Sequence, residues 1–188
     1  HPRLVIFGAG YIGGAVARAA AARGIAVTAL TRNAARAAEL RAAGIRVVVA
    51  DLAGDAWLDE IPPGADHVLN CVSSGGGGLD GYRHSYVDGT ARIAAWTRRG
   101  RVGTLVYTSS TSVYPQGGGA EVDESAPTEP AGERAALLLE AERLSNAAEA
   151  GRVFILRLAG IYGPDRHMIL DTLRLGGPLP GSGLHRLN

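Results

Sequence analysis

Short apolar runs rich in β-branched residues alternate along this chain with alanine-rich stretches of mixed polarity. Residues 4–7, 25–30, 45–49, 67–72, 104–107 and 153–158 read as strands. They are apolar with little alternation, the pattern of strands covered by helices on both faces of a parallel sheet. Residues 12–22, 34–43, 82–99 and 133–150 read as helices. Gly24, Gly44, Gly100 and Gly151 stand where each helix gives way to the next strand, the usual C-terminal stop. Strand and helix alternating in this way predict an α/β fold built on a doubly wound parallel sheet.

Three stretches break the alternation. Gly75 to Gly78 are four consecutive glycines after the fourth strand, which implies a tight or mobile turn. Residues 115–132 form a long connection rich in Gly, Pro and acid, read either as a lid or as a disordered loop. After Gly163-Pro164 the pattern weakens to one helix over 169–175, broken by the run Gly176-Gly177-Pro178-Leu179-Pro180-Gly181.

The first strand runs straight into Gly8-Ala9-Gly10-Tyr11-Ile12-Gly13. A GxGxxG spacing between a strand and a helix has a mechanical meaning. Gly8 permits the tight turn, Gly10 lets a pyrophosphate approach the backbone, and Gly13 lets helix pack on strand. Together with Tyr11 and Ile12, the first-turn amides then offer free N–H groups and a partial positive charge to phosphates. The fold is therefore expected to be a Rossmann-type dinucleotide binder. The second strand ends in Leu30-Thr31-Arg32-Asn33, without the acid that would hold adenosine ribose hydroxyls in NAD or FAD proteins. Arg32 would pair with a 2′-phosphate, with Arg36 as a helper, unless it is simply a solvated charge. NADP is the expected cofactor, with NAD second. Asp51 and Leu52, after the third strand, either cap the adenine, with Asp51 accepting from its amino group, or open a helix.

Bulk composition narrows the partners. The 188 residues carry a net charge of +1, which gives no electrostatic case for nucleic acid or an anionic membrane. No apolar run reaches the ~20 residues of a membrane span. A lone cysteine, Cys71, fits a reducing compartment, so a cytoplasmic location is expected. His84, between Tyr82 and Tyr86, reads either as a catalytic histidine or as a partly buried structural one, and His67 as structural. His167 and His185 have no Cys or acid spacing suited to a metal, and no metal site is expected. The chain begins at His1 and stops at Asn188 without a terminating signal, so a fragment of a longer protein is expected. All nineteen basic residues are arginine.

Tyr107-Thr108-Ser109-Ser110-Thr111-Ser112-Val113-Tyr114-Pro115 adds a family signal. It resembles the extended short-chain dehydrogenase/reductases, the NAD-dependent epimerases and dehydratases of nucleotide sugars. Asn70-Cys71-Val72-Ser73, Tyr86-Val87-Asp88-Gly89-Thr90 and Leu156-Arg157-Leu158-Ala159-Gly160-Ile161-Tyr162-Gly163-Pro164 agree, over residues 3–175. The resemblance implies a dinucleotide-binding domain over 1–160 and the start of a small substrate portion, short or truncated, over 161–188. It also implies that Ser110 is the catalytic hydroxyl. Ser73 and Ser74 follow the C-terminal end of the fourth strand and so are expected to line the nicotinamide half, with Cys71 and Val72 beside them at the cofactor. As a residue of an apolar strand, Cys71 reads as a small hydrophobe. The helices at 82–99 and 133–150 would lie side by side, as in the family's dimer interface, so a homodimer is expected. Arg157 reads as a member of a buried ion pair.

One departure matters most. The resemblance places a tyrosine, and a lysine four residues later, at the opening of the fourth helix near residues 132–138. No tyrosine stands there, and the chain has no lysine. A phenol near its ordinary pKa of about 10 is a poor base without a neighbouring cation. This points to the atypical members of the family. Tyr114, close to Ser110, is the better placed substitute phenol, and Tyr162 with Arg166 a weaker pair. The leading function is an NADP-dependent oxidoreductase or epimerase-like enzyme acting on a small hydroxyl or carbonyl compound or a nucleotide sugar. The alternative is a non-catalytic NAD(P)H-binding redox sensor.

Overall fold

The computed structural model describes residues 1–130 and 132–178. Leu179, Pro180, Gly181 and His185 lie outside the described residues. Six strands form one sheet: β1 (Arg3–Phe7), β2 (Ala26–Thr31), β3 (Arg46–Val49), β4 (Ala65–Asn70), β5 (Val102–Ser110) and β6 (Arg152–Leu158). Their order is β3-β2-β1-β4-β5-β6, and every pairing is parallel. The order reverses beside β1, which is where doubly wound sheets open a crevice at their strand C-termini. The expected fold is the observed one.

Period-2 alternation divides each strand between two cores. Leu4 and Ile6 of β1 join Ala17, Ala20, Ala37 and Leu40 on one face, under α1 (Tyr11–Ala21) and α2 (Ala34–Ala42). Val5 and Phe7 join Trp57, Ile93 and Trp96 on the other. Phe7 meets both indoles edge-on, with centroids 5.2 Å and 5.5 Å away, the geometry the ring quadrupoles favour. Each indole N–H finds a carbonyl, Trp57 on Leu52 and Trp96 on Ile61. Alanine suffices under α1 and α2 because small side chains let helix and sheet approach closely. At the far edge the sheet is less covered, and Phe154 and Leu156 of β6 are about half exposed.

The third helical stretch, read at 82–99, differs from its sequence reading. It begins four residues earlier, as α3 (Gly78–Tyr82), passes through a π-helical segment over Arg83–Asp88, and continues as α4 (Gly89–Thr97). Gly77, at φ 83°, supplies the left-handed start that a glycine run makes easy. The fifth helix, α5 (Glu133–Asn146), packs against α4 and the π segment as expected. It ends four residues short of the sequence reading, and the Thr97 hydroxyl instead accepts from the Glu149 amide. A final short helix, α6, spans Met168–Arg174.

Candidate functional site

At the C-terminal edge of β1 the chain turns under three backbone hydrogen bonds. The Gly8 and Ala9 amides both donate to the Leu30 carbonyl, and the Gly10 amide donates to Gly8. Gly8 has φ 92°, and a Cβ there would lie 2.6 Å from the Val72 nitrogen. A Cβ on Gly13 would strike the Gly8 carbonyl and lie 2.8 Å from the Cys71 sulfur. These two glycines are needed for packing. Gly10 is different: a Cβ there meets nothing within 4 Å, because it faces open space. Gly10 also begins α1 without any side-chain cap, so the first-turn amides of α1 remain available to an anion.

That space is a cleft of about 750 Å³ lined by the ends of β1, β2, β4 and β5 and the turns after them. The structure brings Gly8, Gly10, Tyr11, Ile12, Thr31, Arg32, Asp51, Leu52, Cys71, Val72, Ser73 and Ser110 together along it. Gly13 lies beneath the turn, as its packing role requires. The Cys71 thiol donates to the Gly8 carbonyl at 3.1 Å, and burial pushes its pKa up to about 12. It ties the turn in place and stays protonated.

At one end, Arg32 reaches the Ser74 carbonyl at 3.5 Å and Asp51 at 3.8 Å. His84 holds Asp51 more closely, its Nε2–H lying 3.1 Å from both carboxylate oxygens. Burial raises the Asp51 pKa, but the Ala53 amide, His84 and Arg32 outweigh it and leave the carboxyl below its usual range. Arg36 is engaged elsewhere, 2.6 Å from Glu39. Arg32 is therefore the guanidinium this end presents.

The profile of the NAD dependent epimerase/dehydratase family matches residues 4–174. The chain belongs to that family. It is similar to a 2-alkyl-3-oxoalkanoate reductase of Shewanella oneidensis, 30% identical over 182 residues, covering 89% of this chain and 46% of the relative. A UDP-glucose 4-epimerase of Azospirillum brasilense is 29% identical over 175 residues, covering 86% and 49%. Among solved structures, a UDP-glucuronic acid 4-epimerase from Bacillus cereus in complex with NAD shares the fold. Its TM-score is 0.79 at 18% identity, over 94% of this chain and 64% of that one. The chain spans about half the length of the curated relatives it matches.

In this member of the family the opposite end of the cleft is a hydroxyl cluster. Ser110 ends β5, and its Oγ accepts from the Ser112 amide at 3.2 Å and from the Ser112 hydroxyl at 3.0 Å. The Ser110 proton is thus left to donate into the cleft. Thr108 and Ser109 line the same wall. Beneath them lies a buried ion pair: Arg157 donates to both Glu142 oxygens, at 3.0 Å and 2.9 Å, and Glu142 accepts from Ser109 at 2.6 Å. Those contacts, Glu142 foremost, raise the Arg157 pKa against the opposing effect of burial. The ion-pair reading of Arg157 holds.

Tyr114 is not among the residues lining the cleft. Its hydroxyl accepts from Arg157 at 2.9 Å, and the guanidinium also stacks 5.0 Å from its ring centroid. Tyr162 is largely exposed, while Arg166 lies over the Tyr11 ring. At the opening of α5, Arg134 stands over the Tyr82 ring at 5.0 Å and Leu138 is buried. Sequence reading offered His84 only as a possible catalytic histidine and Arg166 only as a partner of Tyr162, and it missed Ser85 and Tyr86 as cleft residues. The π segment explains the two misses: it rotates the helix away from the 3.6-residue period that a sequence pattern assumes. Among the described residues no group of His, Cys, Asp and Glu could hold a metal, and no helix is long and apolar enough to cross a membrane.

Proposed function

We propose that this chain forms the dinucleotide-binding part of an NADP-preferring oxidoreductase acting on a small carbonyl or hydroxyl compound. The observation that carries it is Gly10, which faces open space at an uncapped helix start with Arg32 at the adenosine end of the same cleft. The residues fit a nicotinamide dinucleotide. First-turn amides of α1 take the pyrophosphate, Arg32 takes the 2′-phosphate, and Leu52, Val72 and Ser73 flank the rest. When bound, such a cofactor supplies or accepts a hydride. Ser110 would donate a hydrogen bond to the substrate oxygen and fix its position, keeping its own proton. The reductase relatives act, by name, on 2-alkyl-3-oxoalkanoates, which makes a 3-oxo acid the leading substrate class and a nucleotide sugar the second. The packed α4–α5 pair supports assembly as a homodimer.

The test is NADPH consumption by the purified protein over a panel of 3-oxo acids, small ketones and nucleotide sugars. Substituting Ser110→Ala is expected to lower kcat by roughly tenfold, the value of one lost hydrogen bond, with NADPH affinity unchanged. Tight NADPH binding without consumption of any panel member would favour the sensor instead.

His84 gives a second expected result, read from binding alone. It holds both Asp51 oxygens at 3.1 Å, closer than the 3.8 Å of Arg32, and so competes with Arg32 for that carboxylate. His84→Leu should weaken NADPH binding several-fold without weakening NADH equally. Adding Asp51→Asn should restore the NADPH:NADH ratio, because no carboxylate then remains to trap Arg32.

A further inference from the structure

Moving a hydride onto a carbonyl carbon also requires a proton for the oxygen, and α5 opens without tyrosine or lysine. The chain has six tyrosines, which the structure sorts by where their hydroxyls go. Tyr11 donates to the Pro164 carbonyl at 3.0 Å. Tyr114 is held by Arg157. Tyr107 is fully buried with its hydroxyl unpartnered. Tyr162 is exposed, and neither it nor Tyr82 lines the cleft. Tyr86 remains. It sits on the π segment and lines the cleft, as do Thr108, Ser109 and Ser110.

We infer that Tyr86 is the proton donor of this site, replacing from the π segment the phenol that α5 lacks. This rests on the oxidoreductase reading above. In the forward direction a reduced nicotinamide dinucleotide gives a hydride to the carbonyl carbon, and the C=O π pair moves to oxygen. That oxygen takes the phenolic proton as the Tyr86 O–H bond breaks. The product is an alcohol, and the phenolate recovers a proton from water.

The surroundings suit an acid rather than a base. The Tyr82 ring lies 5.1 Å from that of Tyr86, and Arg134 of α5 stacks over the Tyr82 ring, 5.0 Å from its centroid. Tyr107 of β5 lies on that side with Glu142 of α5 near it, and Arg83, paired with Glu140, His84, paired with Asp51, and Asp88 adjoin on its own segment. Burial raises the Tyr86 pKa, Tyr82 adds to this, and the Ser74 amide offsets part of it. The phenol therefore holds its proton through neutral pH and gives it to a developing alkoxide at the moment of reduction.

Tyr86→Phe keeps the ring and its stacking and removes only the hydroxyl. The expected result is NADPH affinity within about twofold of wild type and kcat for the best panel substrate lower by roughly a hundredfold, the ordinary worth of a general acid. Wild-type kcat should fall only above the usual phenol range, and the variant should lose that alkaline limb. In the cofactor-free protein, phenolate absorbance should show one high-titrating group fewer in the variant. A variant that turns over at the wild-type rate overturns the assignment of Tyr86 and leaves the oxidoreductase reading standing. A variant that loses NADPH affinity makes Tyr86 a structural residue and likewise overturns it. A wild type that binds NADPH but reduces nothing removes both.

Discussion

Gly10→Ala should leave the protein folded and cost it most of its dinucleotide affinity. The added methyl meets nothing within 4 Å. Alanine is a poorer helix start than glycine, which alone lowers stability by about 1 kcal/mol. The methyl does, however, fill the space through which a pyrophosphate would approach the amides. Affinity for NADPH should drop by about a hundredfold, roughly 2.7 kcal/mol. Gly8→Ala makes the contrast. Its Cβ would sit at a left-handed φ of 92° and 2.6 Å from the Val72 backbone. The conformation costs about 1–2 kcal/mol and the overlap about 1–3 more, so thermal stability and binding should be lost together. Thermal melts beside fluorescence titrations of the two variants separate these outcomes. If Gly10→Ala bound NADPH as wild type does, the cradle would not be where the phosphates sit.

Arg32→Glu should invert the cofactor preference. The side chain is about half exposed and its present contacts are long, 3.5 Å to the Ser74 carbonyl and 3.8 Å to Asp51. Little is lost from the fold on removing it, since exposed ion pairs contribute about 0–1 kcal/mol. Against a 2′-phosphate the change is larger. A charge-assisted hydrogen bond worth about 1.5–3 kcal/mol disappears, and a second carboxylate joins Asp51 in facing the phosphate. The NADPH:NADH affinity ratio should therefore fall by roughly a thousandfold, with NADH held as well as before or better through its ribose hydroxyls. Arg36→Ala should do little by comparison, because Glu39 already occupies that guanidinium. Isothermal titration with both cofactors measures each ratio directly. An unchanged ratio in Arg32→Glu would show Arg32 to be a surface charge only.

The cofactor half of the site is legible in the sequence because parallel strands place their C-termini at one edge. Any residue just past β1, β2, β3 or β4 must then arrive at the same crevice, so Gly10, Arg32, Asp51 and Ser73 can be grouped without knowing distances. Two things are not legible. Hydroxyl orientation depends on partners far away in the chain: Tyr114 is close to Ser110 in sequence, yet Arg157, 43 residues on, holds its hydroxyl. The helix carrying His84 and Tyr86 reads on a 3.6-residue period, and a π segment has a wider turn that no apolar pattern announces. The glycines at 75–78 hide its true start, because glycine reads as a break where here it only begins a helix.

The central claim is that a nicotinamide dinucleotide binds with its phosphates on the first turn of α1 and its 2′-phosphate on Arg32. Titration of the purified wild-type protein with NADPH and with NADH tests it most directly. Saturable binding of NADPH, tighter than NADH by roughly tenfold or more, is the predicted result. Indifference to both would contradict the account, and an equal or tighter grip on NADH would contradict the part assigned to Arg32.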